Sequence, residues 1–313
     1  MIPKTRRPTL LGVPEASLDA LTGAAVAVLG AAEATPYVPG QPSHSADAPA
    51  AIRLASERLT GQLRQHDFDL DGALFPDRED WRGVVDCGDL VVSARDAAAN
   101  NAAIRNGVAA IVAAGAVPIV LGGDDSVPVP ALEGFADGEP IHVVQLDAHV
   151  DWGDRIQGER RGYGSPMRRA AEMGHVAGMV QIGIRGLGSG ERWQHDDARA
   201  WGSRLVTAAE LHRVGAAAAV ADLPAGAACA VAIDCDALDP AVFPAVAMPT
   251  PGGLSYEDAV AVLQAVAARG RLAGLVLAEF VPERDPVFQP SGLIAARLTA
   301  VAIGLALRAR REV

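Results

Sequence analysis

Three short stretches of the chain carry acids at spacings suited to metal chemistry. Residues 145–151 read Gln-Leu-Asp-Ala-His-Val-Asp, so Asp147, His149 and Asp151 follow an apolar run at i, i+2 and i+4. If the chain stays extended there, the three side chains share one face. Residues 122–126 read Gly-Gly-Asp-Asp-Ser, and the apolar run ending at Ile233 is followed by Asp234-Cys235-Asp236. Carboxylates gathered around a histidine repel one another and are costly to desolvate unless they are solvated or share a cation. Together they make a hard, oxygen-rich donor set suited to manganese, magnesium or a similar divalent ion, with space for two ions if carboxylates bridge. Zinc is less favoured, with no sulfur and one imidazole. Each stretch alone also reads as a polar loop, and the glycine pair as a turn capping the next helix through Asp124 or Ser126.

The elements that must position these residues alternate. Short apolar runs predict strands at residues 24–30, 84–89, 118–121, 141–146, 179–184, 205–207, 229–233 and 275–278. Between them, helical spacing is read at 48–59, in a helix capped by Ser93 and closed by Gly115, and at 208–213, 256–268 (capped by Ser255) and 291–307. This alternation predicts an α/β fold whose parallel sheet is covered on both faces. Acid-bearing strand ends then meet at one edge. The proline-rich loop at 36–49, which holds His44, follows the first strand and would line that crevice; a plain surface-loop histidine is the other reading. Arg53 points outward or back toward the loop. No repeat or composition shift marks a second domain, so residues 1–313 read as one domain with 1–22 as a peripheral segment.

Composition narrows the function classes. The 313 residues are 50% hydrophobic but only 4% aromatic, a filler suited to helices packed closely on a parallel sheet. A net charge of -11 disfavours nucleic acid as a partner. Arg160, Arg161, Arg168 and Arg169 form the densest basic group and read as a solvated loop and helix start. Three cysteines, Cys87, Cys229 and Cys235, without CxxC spacing argue against disulfides and thiolate metal sites. No signal-peptide pattern is read, and the apolar run near residue 24 is too short to span a membrane. The expectation is a cytoplasmic protein with no membrane partner.

The same motifs carry a family resemblance. Gly-Gly-Asp-Asp-Ser at 122–126, Asp-Ala-His-Val-Asp at 147–151 and Asp-Cys-Asp-Ala-Leu-Asp-Pro at 234–240 resemble the three metal motifs of the ureohydrolases, the arginase and agmatinase family. Supporting stretches are 181–185, 249–254 and 278–282, and the likeness runs from about residue 24 to the end, closer to agmatinase-like members. It implies a three-layer αβα fold with an eight-stranded parallel sheet, and a binuclear centre of manganese, or nickel in some members. The implied reaction is hydrolysis of a small guanidino compound, of agmatine or guanidino-acid type, to urea and an amine by a metal-bridging hydroxide. It also implies a homo-oligomer, trimer or hexamer. Residue by residue, Asp147, His149, Asp151, Asp234 and Asp236 match metal ligands, and Glu279 matches the carboxylate that binds the guanidinium.

Two positions depart from the pattern. Asp125 stands where the family usually has a histidine ligand, which adds a negative charge to the cluster. Tyr163 stands where a His-Gly element supplies a proton shuttle, a poor one near neutrality for a phenol. His44 is the candidate for the missing imidazole. Trp152, Asp154 and the 157–163 loop are expected to shape the far end of the pocket, with Asp154 able to attract a cationic tail. A non-catalytic subunit and a hydrolase of a related amide or formimino bond are the alternatives.

Overall fold

The computed structural model describes residues 8–311. Ten strands run in chain order as β1 (Val26–Ala31), β2 (His66–Asp67), β3 (Gly72–Ala73), β4 (Val84–Asp89), β5 (Val117–Gly122), β6 (Ile141–Leu146), β7 (Val176–Ile184), β8 (Arg204–Thr207), β9 (Ala228–Asp234) and β10 (Arg271–Ala278). β2 and β3 form a small antiparallel ribbon. The other eight make one sheet in the order β4-β1-β5-β10-β9-β6-β7-β8, with every pairing parallel. Parallel strands need crossovers, and helices supply them on both faces, giving the αβα fold.

Strand β9 shows why the apolar runs become buried strands. Cys229, Val231 and Ile233 point into one core, while Ala228, Ala230 and Ala232 point into the other, the period-two alternation of a strand covered on both sides. On the first face the helices Ala48–Ser56, Tyr256–Arg269 and Pro290–Arg311 pack side by side. On the second lie Ala97–Ala113, Pro128–Glu133 and Pro166–Ala171. Pro290–Arg311 is long and apolar enough to cross a membrane, but Leu298, Val301 and Ile303 are core residues of this fold.

Several expectations are corrected. The helix expected at Ser93 starts at Ala97 and is capped by Asp96, whose Oδ1 accepts from the Ala99 amide at 2.9 Å. Ser93 is used in the preceding turn, accepting from the Arg95 amide. Neither Asp124 nor Ser126 caps the next helix, which begins after Val127; Ser126 Oγ instead donates to Asp124 Oδ1 at 2.5 Å. Arg53 points inward and is buried. The 1–22 segment does not simply wrap the outside, since Leu10, Leu11 and Val13 are core residues; residues 1–7 lie outside the described residues. The helix start expected near Arg168 and Arg169 is Pro166–Ala171, whereas the β2/β3 ribbon and the helices Arg78–Arg82, Arg192–Trp201 and Ala216–Ala219 go beyond the sequence expectations.

Candidate metal centre and active-site cavity

Four strands that end in acids are consecutive in the sheet centre. Along the chain they come as β5, β6, β9 and β10, but β9 and β10 are inserted between β5 and β6. Their carboxyl ends therefore bring Asp124 and Asp125, Glu279, Asp234 and Asp236, and Asp147 to Asp151 to one crevice, at the point where strand order switches. Close backbone packing fixes the loops. The Glu279 amide donates to Gly123 O at 2.9 Å. A Cβ on Gly123 would lie 2.1 Å from Ala32 O, so only glycine fits.

The 147–151 segment is not extended, contrary to the simplest expectation. β6 stops at Leu146, and Asp151 takes a left-handed φ of 46°. Glu279 does the same at φ 63°. Such conformations cost a β-carbon residue roughly 1–3 kcal/mol and persist where the surroundings dictate them. The turn still gathers the three side chains. Asp147 Oδ1 accepts from the His149 amide at 2.6 Å. Gln145 Nε2 donates to Asp147 Oδ2 at 2.6 Å and to Asp151 Oδ2 at 3.2 Å. Gln181 Nε2 donates to Gln145 Oε1 at 2.6 Å, and Ser203 Oγ to Gln181 Oε1 at 2.8 Å, so a buried amide chain holds the two aspartates.

Two overlapping donor groups result. Asp125, Asp147 and Asp151 offer ligand atoms within 4.8 Å of one another, and so do Asp147, His149 and Asp236; Asp147 belongs to both. Asp234 lines the same cavity outside these two groups, its Oδ1 accepting from the Asp236 amide at 2.7 Å. Burial, then mutual repulsion, holds Asp125, Asp147 and Asp234 well above the ordinary carboxylate range, while burial raises Asp151 against the opposing pull of Asp147 and His149. His149 is pushed up to about 9: burial opposes its charge, but the bond to Asp236 at 3.1 Å and the surrounding carboxylates outweigh it. Asp125 Oδ2 is buried with no hydrogen-bond partner among the described residues. A buried anionic oxygen without a donor, in an oxygen-rich set with one imidazole, fits a hard divalent cation. The neighbouring Arg185 guanidinium is committed to the carbonyls of Gly183, Asp236, Ala237, Leu238 and Thr250.

The cluster opens into a cavity of about 420 Å³ that also receives Glu279, His44 and Tyr163. Glu279 Oε1 accepts from the Asp125 amide at 2.9 Å, and Oε2 meets His44 Nε2 at 2.5 Å. Burial raises the Glu279 carboxyl, and the contact with His44 works against that rise. Burial lowers His44, but Glu279 outweighs it and leaves the ring above its usual value. The loop histidine is thus part of the cavity. Tyr163 lies edge-on to His44 at 5.7 Å and to Tyr37 at 4.3 Å between ring centroids, and burial raises its phenol. Tyr37 Oη accepts from the Gly164 amide at 3.0 Å, anchoring this wall.

The six expected ligands, with Glu279, Tyr163 and His44, all lie in this region, but three supporting residues carry no role in the sequence expectations. Gln145, Gln181 and Tyr37 received no role; two amides inside otherwise apolar strands were the available signal for the first two. The expectation for Asp154 fails. Arg160, Arg168 and Arg169 surround its carboxylate at 3.6, 3.4 and 3.2 Å, so it is not free to meet a cationic tail. That basic group is likewise not merely solvated, since Arg169 is buried and Arg161 pairs with Glu133 at 2.7 Å.

Comparison with known proteins gives the same grouping. The arginase-family model matches residues 24–304. Proclavaminate amidinohydrolase of Streptomyces clavuligerus is 33% identical over 197 residues, 61% of this chain and 63% of that protein. Formimidoylglutamase of Halobacterium salinarum is 33% identical over 246 residues, 76% of this chain and 75% of that protein. Against the mitochondrial Arginase 1 of Arabidopsis thaliana the match is 31% over 188 residues, 58% of this chain and 52% of the relative. With several such relatives the chain spans only about half to under two-thirds of their length. The solved structure of the Streptomyces clavuligerus enzyme superposes with a TM-score of 0.83 at 28% identity, covering 97% of this chain and 98% of that one. Since the matched span takes in all four acid-bearing strand ends, the chain belongs to the arginase family.

Proposed function

We propose that the chain is a metal-dependent amidinohydrolase, agmatinase-like in its motifs, that cleaves a small guanidino compound to urea and an amine. The observation that carries this reading is the pair of donor groups sharing Asp147, whose His149, Asp151 and Asp236 line a cavity that also holds Glu279. Asp125, Asp147, His149, Asp151, Asp234 and Asp236 would hold two divalent ions, manganese first and nickel second. When bound, the ions supply an activated water and electrophilic assistance at neutral pH. Glu279 receives the guanidinium: each of its oxygens already accepts one hydrogen bond and keeps a second lone pair for an N–H donor. His44, bonded to Glu279, holds a proton where the leaving amine departs, and Tyr163 offers a phenol donor on the same wall.

The test is a urea-release screen on protein loaded separately with manganese and nickel. Metal analysis should show about two equivalents per chain and a rise in melting temperature on loading. Urea release should be metal-dependent, and His44→Ala should cost at least tenfold in kcat. A protein that takes up neither metal nor gains stability from it sinks the reading in favour of a non-catalytic subunit. Formamide in place of urea, from a formimino substrate, would move the activity to the related C–N bond.

A further inference from the structure

The cavity divides into two chemically different ends. The charged lining groups, His44, His149, Asp151, Asp234, Asp236 and Glu279, gather at the strand ends and Glu279. The outer walls are Trp152, Ile156, Tyr163, Ala247 and Met248, completed by glycine backbone at 164, 188 and 190. Besides the Tyr163 phenol these walls carry two polar side chains, each holding a hydrogen bond within the fold. Ser189 Oγ donates to Ala148 O at 3.0 Å, and Gln194 Oε1 accepts from the Glu191 amide at 2.6 Å.

Charges near the mouth are tied up elsewhere. Asp154 is held by three arginines. Arg168 pairs with Asp197 at 2.7 Å and lies over the Trp193 ring, while Arg284 Nη1 donates to the carbonyls of Val246 and Ala247. At the rim Met248 is 61% exposed, and Leu187, next to the lining Gly188, is fully exposed. A charged substituent seated against these walls would lose water and gain no counter-ion. An alkyl or aryl substituent would cover apolar surface on both sides.

Resting on the hydrolase reading above, we infer that the natural substrate carries an uncharged, apolar tail: a short N-alkyl- or N-aralkylguanidine. This departs from the agmatine or guanidino-acid type that the motifs alone suggest. The reaction balances without a further reactant. The water oxygen bonds to the guanidinium carbon, the carbon–nitrogen bond to the substituted nitrogen breaks, and that nitrogen keeps the bonding pair. It leaves with the water's protons as an alkylammonium ion, and urea remains.

The experiment compares three tails of one length on the metal-loaded protein: butylguanidine, agmatine and 4-guanidinobutyrate. Butylguanidine should show kcat/KM at least tenfold above both, with a rise of about threefold per methylene from methyl- to butylguanidine. Agmatine or 4-guanidinobutyrate equal to or above butylguanidine would overturn the tail assignment and leave the hydrolase reading standing. Urea release from no guanidino compound with either metal would overturn both. As a second arm, Met248→Glu at the exposed rim should raise the agmatine-to-butylguanidine ratio of kcat/KM about fivefold. An unchanged ratio would show that the tail does not run along this wall and would sink the inference.

Discussion

Outer strand β4 and central strand β9 both end in closely spaced acids, Asp86-Cys87-Gly88-Asp89 in one and Asp234-Cys235-Asp236 in the other. At β4 the fold provides the cation itself. Arg53, from the helix Ala48–Ser56, donates through Nε and Nη2 to both oxygens of Asp86 at 2.8 and 2.9 Å, and through Nη1 to Asp89 at 2.5 Å. The amides of Leu10 and Gly88 add two more donors to Asp86. Burial opposes the Arg53 charge, yet the two aspartates raise it above its ordinary value. At the sheet centre no such partner is present among the described residues. Arg185 faces carbonyl oxygens, and burial lowers it. Density of acids therefore does not separate a structural cluster from a candidate metal centre. Who supplies the counter-charge does.

Removing one charge from each cluster should consequently act with opposite sign. Arg53→Met leaves buried Asp86 without its cation, and should lower stability by about 3–5 kcal/mol, read as a fall in the chemical-denaturation midpoint. Asp125→Asn should do the reverse to the metal-free protein. It removes one buried like charge at an oxygen that has no donor, and should raise metal-free stability by about 1 kcal/mol. The same variant should weaken manganese binding roughly a hundredfold, because a charged ligand is lost. A loss of metal-free stability in Asp125→Asn similar to that in Arg53→Met would break the contrast.

A smaller effect sharpens it from behind the ligands. Gln145 aims Asp147 and Asp151 by its amide, so Gln145→Leu should cost about tenfold in metal affinity. Isothermal titration would read this, with metal-free stability changing far less. Equal affinity in the variant would mean that the turn alone positions the two aspartates.

The sequence showed the parts of this centre more plainly than their arrangement. Apolar runs mark all eight strands of the parallel sheet, because a strand covered on both faces is predominantly apolar. The acids were visible because they stand directly after those runs. Strand order was not visible: nothing local says that β9 and β10 enter between β5 and β6, and adjacency of the four acid-bearing ends depends on that. Nor does any pattern announce left-handed Asp151 and Glu279, which only tertiary packing imposes. Arg53 illustrates the converse. Its helical position was read correctly, but the inward pairing with Asp86, 33 residues away, lies beyond any local signal.

A smaller loss of stability than at Arg53 is expected at a half-buried relative of that cluster on the same sheet face. Arg297, on the long last helix, donates to Asp67 at 2.6 Å and to Asp69 at 2.5 Å, and Tyr256 Oη donates to Asp69 at 2.5 Å. Side-chain exposures of 26% for Arg297 and 13% for Asp67 leave water to screen part of this attraction. Arg297→Met should therefore cost only about 1–2 kcal/mol, well below Arg53→Met. Its pH dependence follows from Asp67. Burial raises that carboxyl, but the bonds and charge of Arg297 outweigh it, so the folded value lies below the ordinary one. A depressed folded value gives stability that is fully present above the unfolded carboxylate pKa of about 4 and disappears as pH falls through the lower, folded value. The gap in unfolding free energy between the native chain and Arg297→Met should thus be constant from neutrality down to about pH 5 and close below about pH 4. A gap that persists unchanged into acid would show that Arg297 contributes through packing of its aliphatic stem, not through charge.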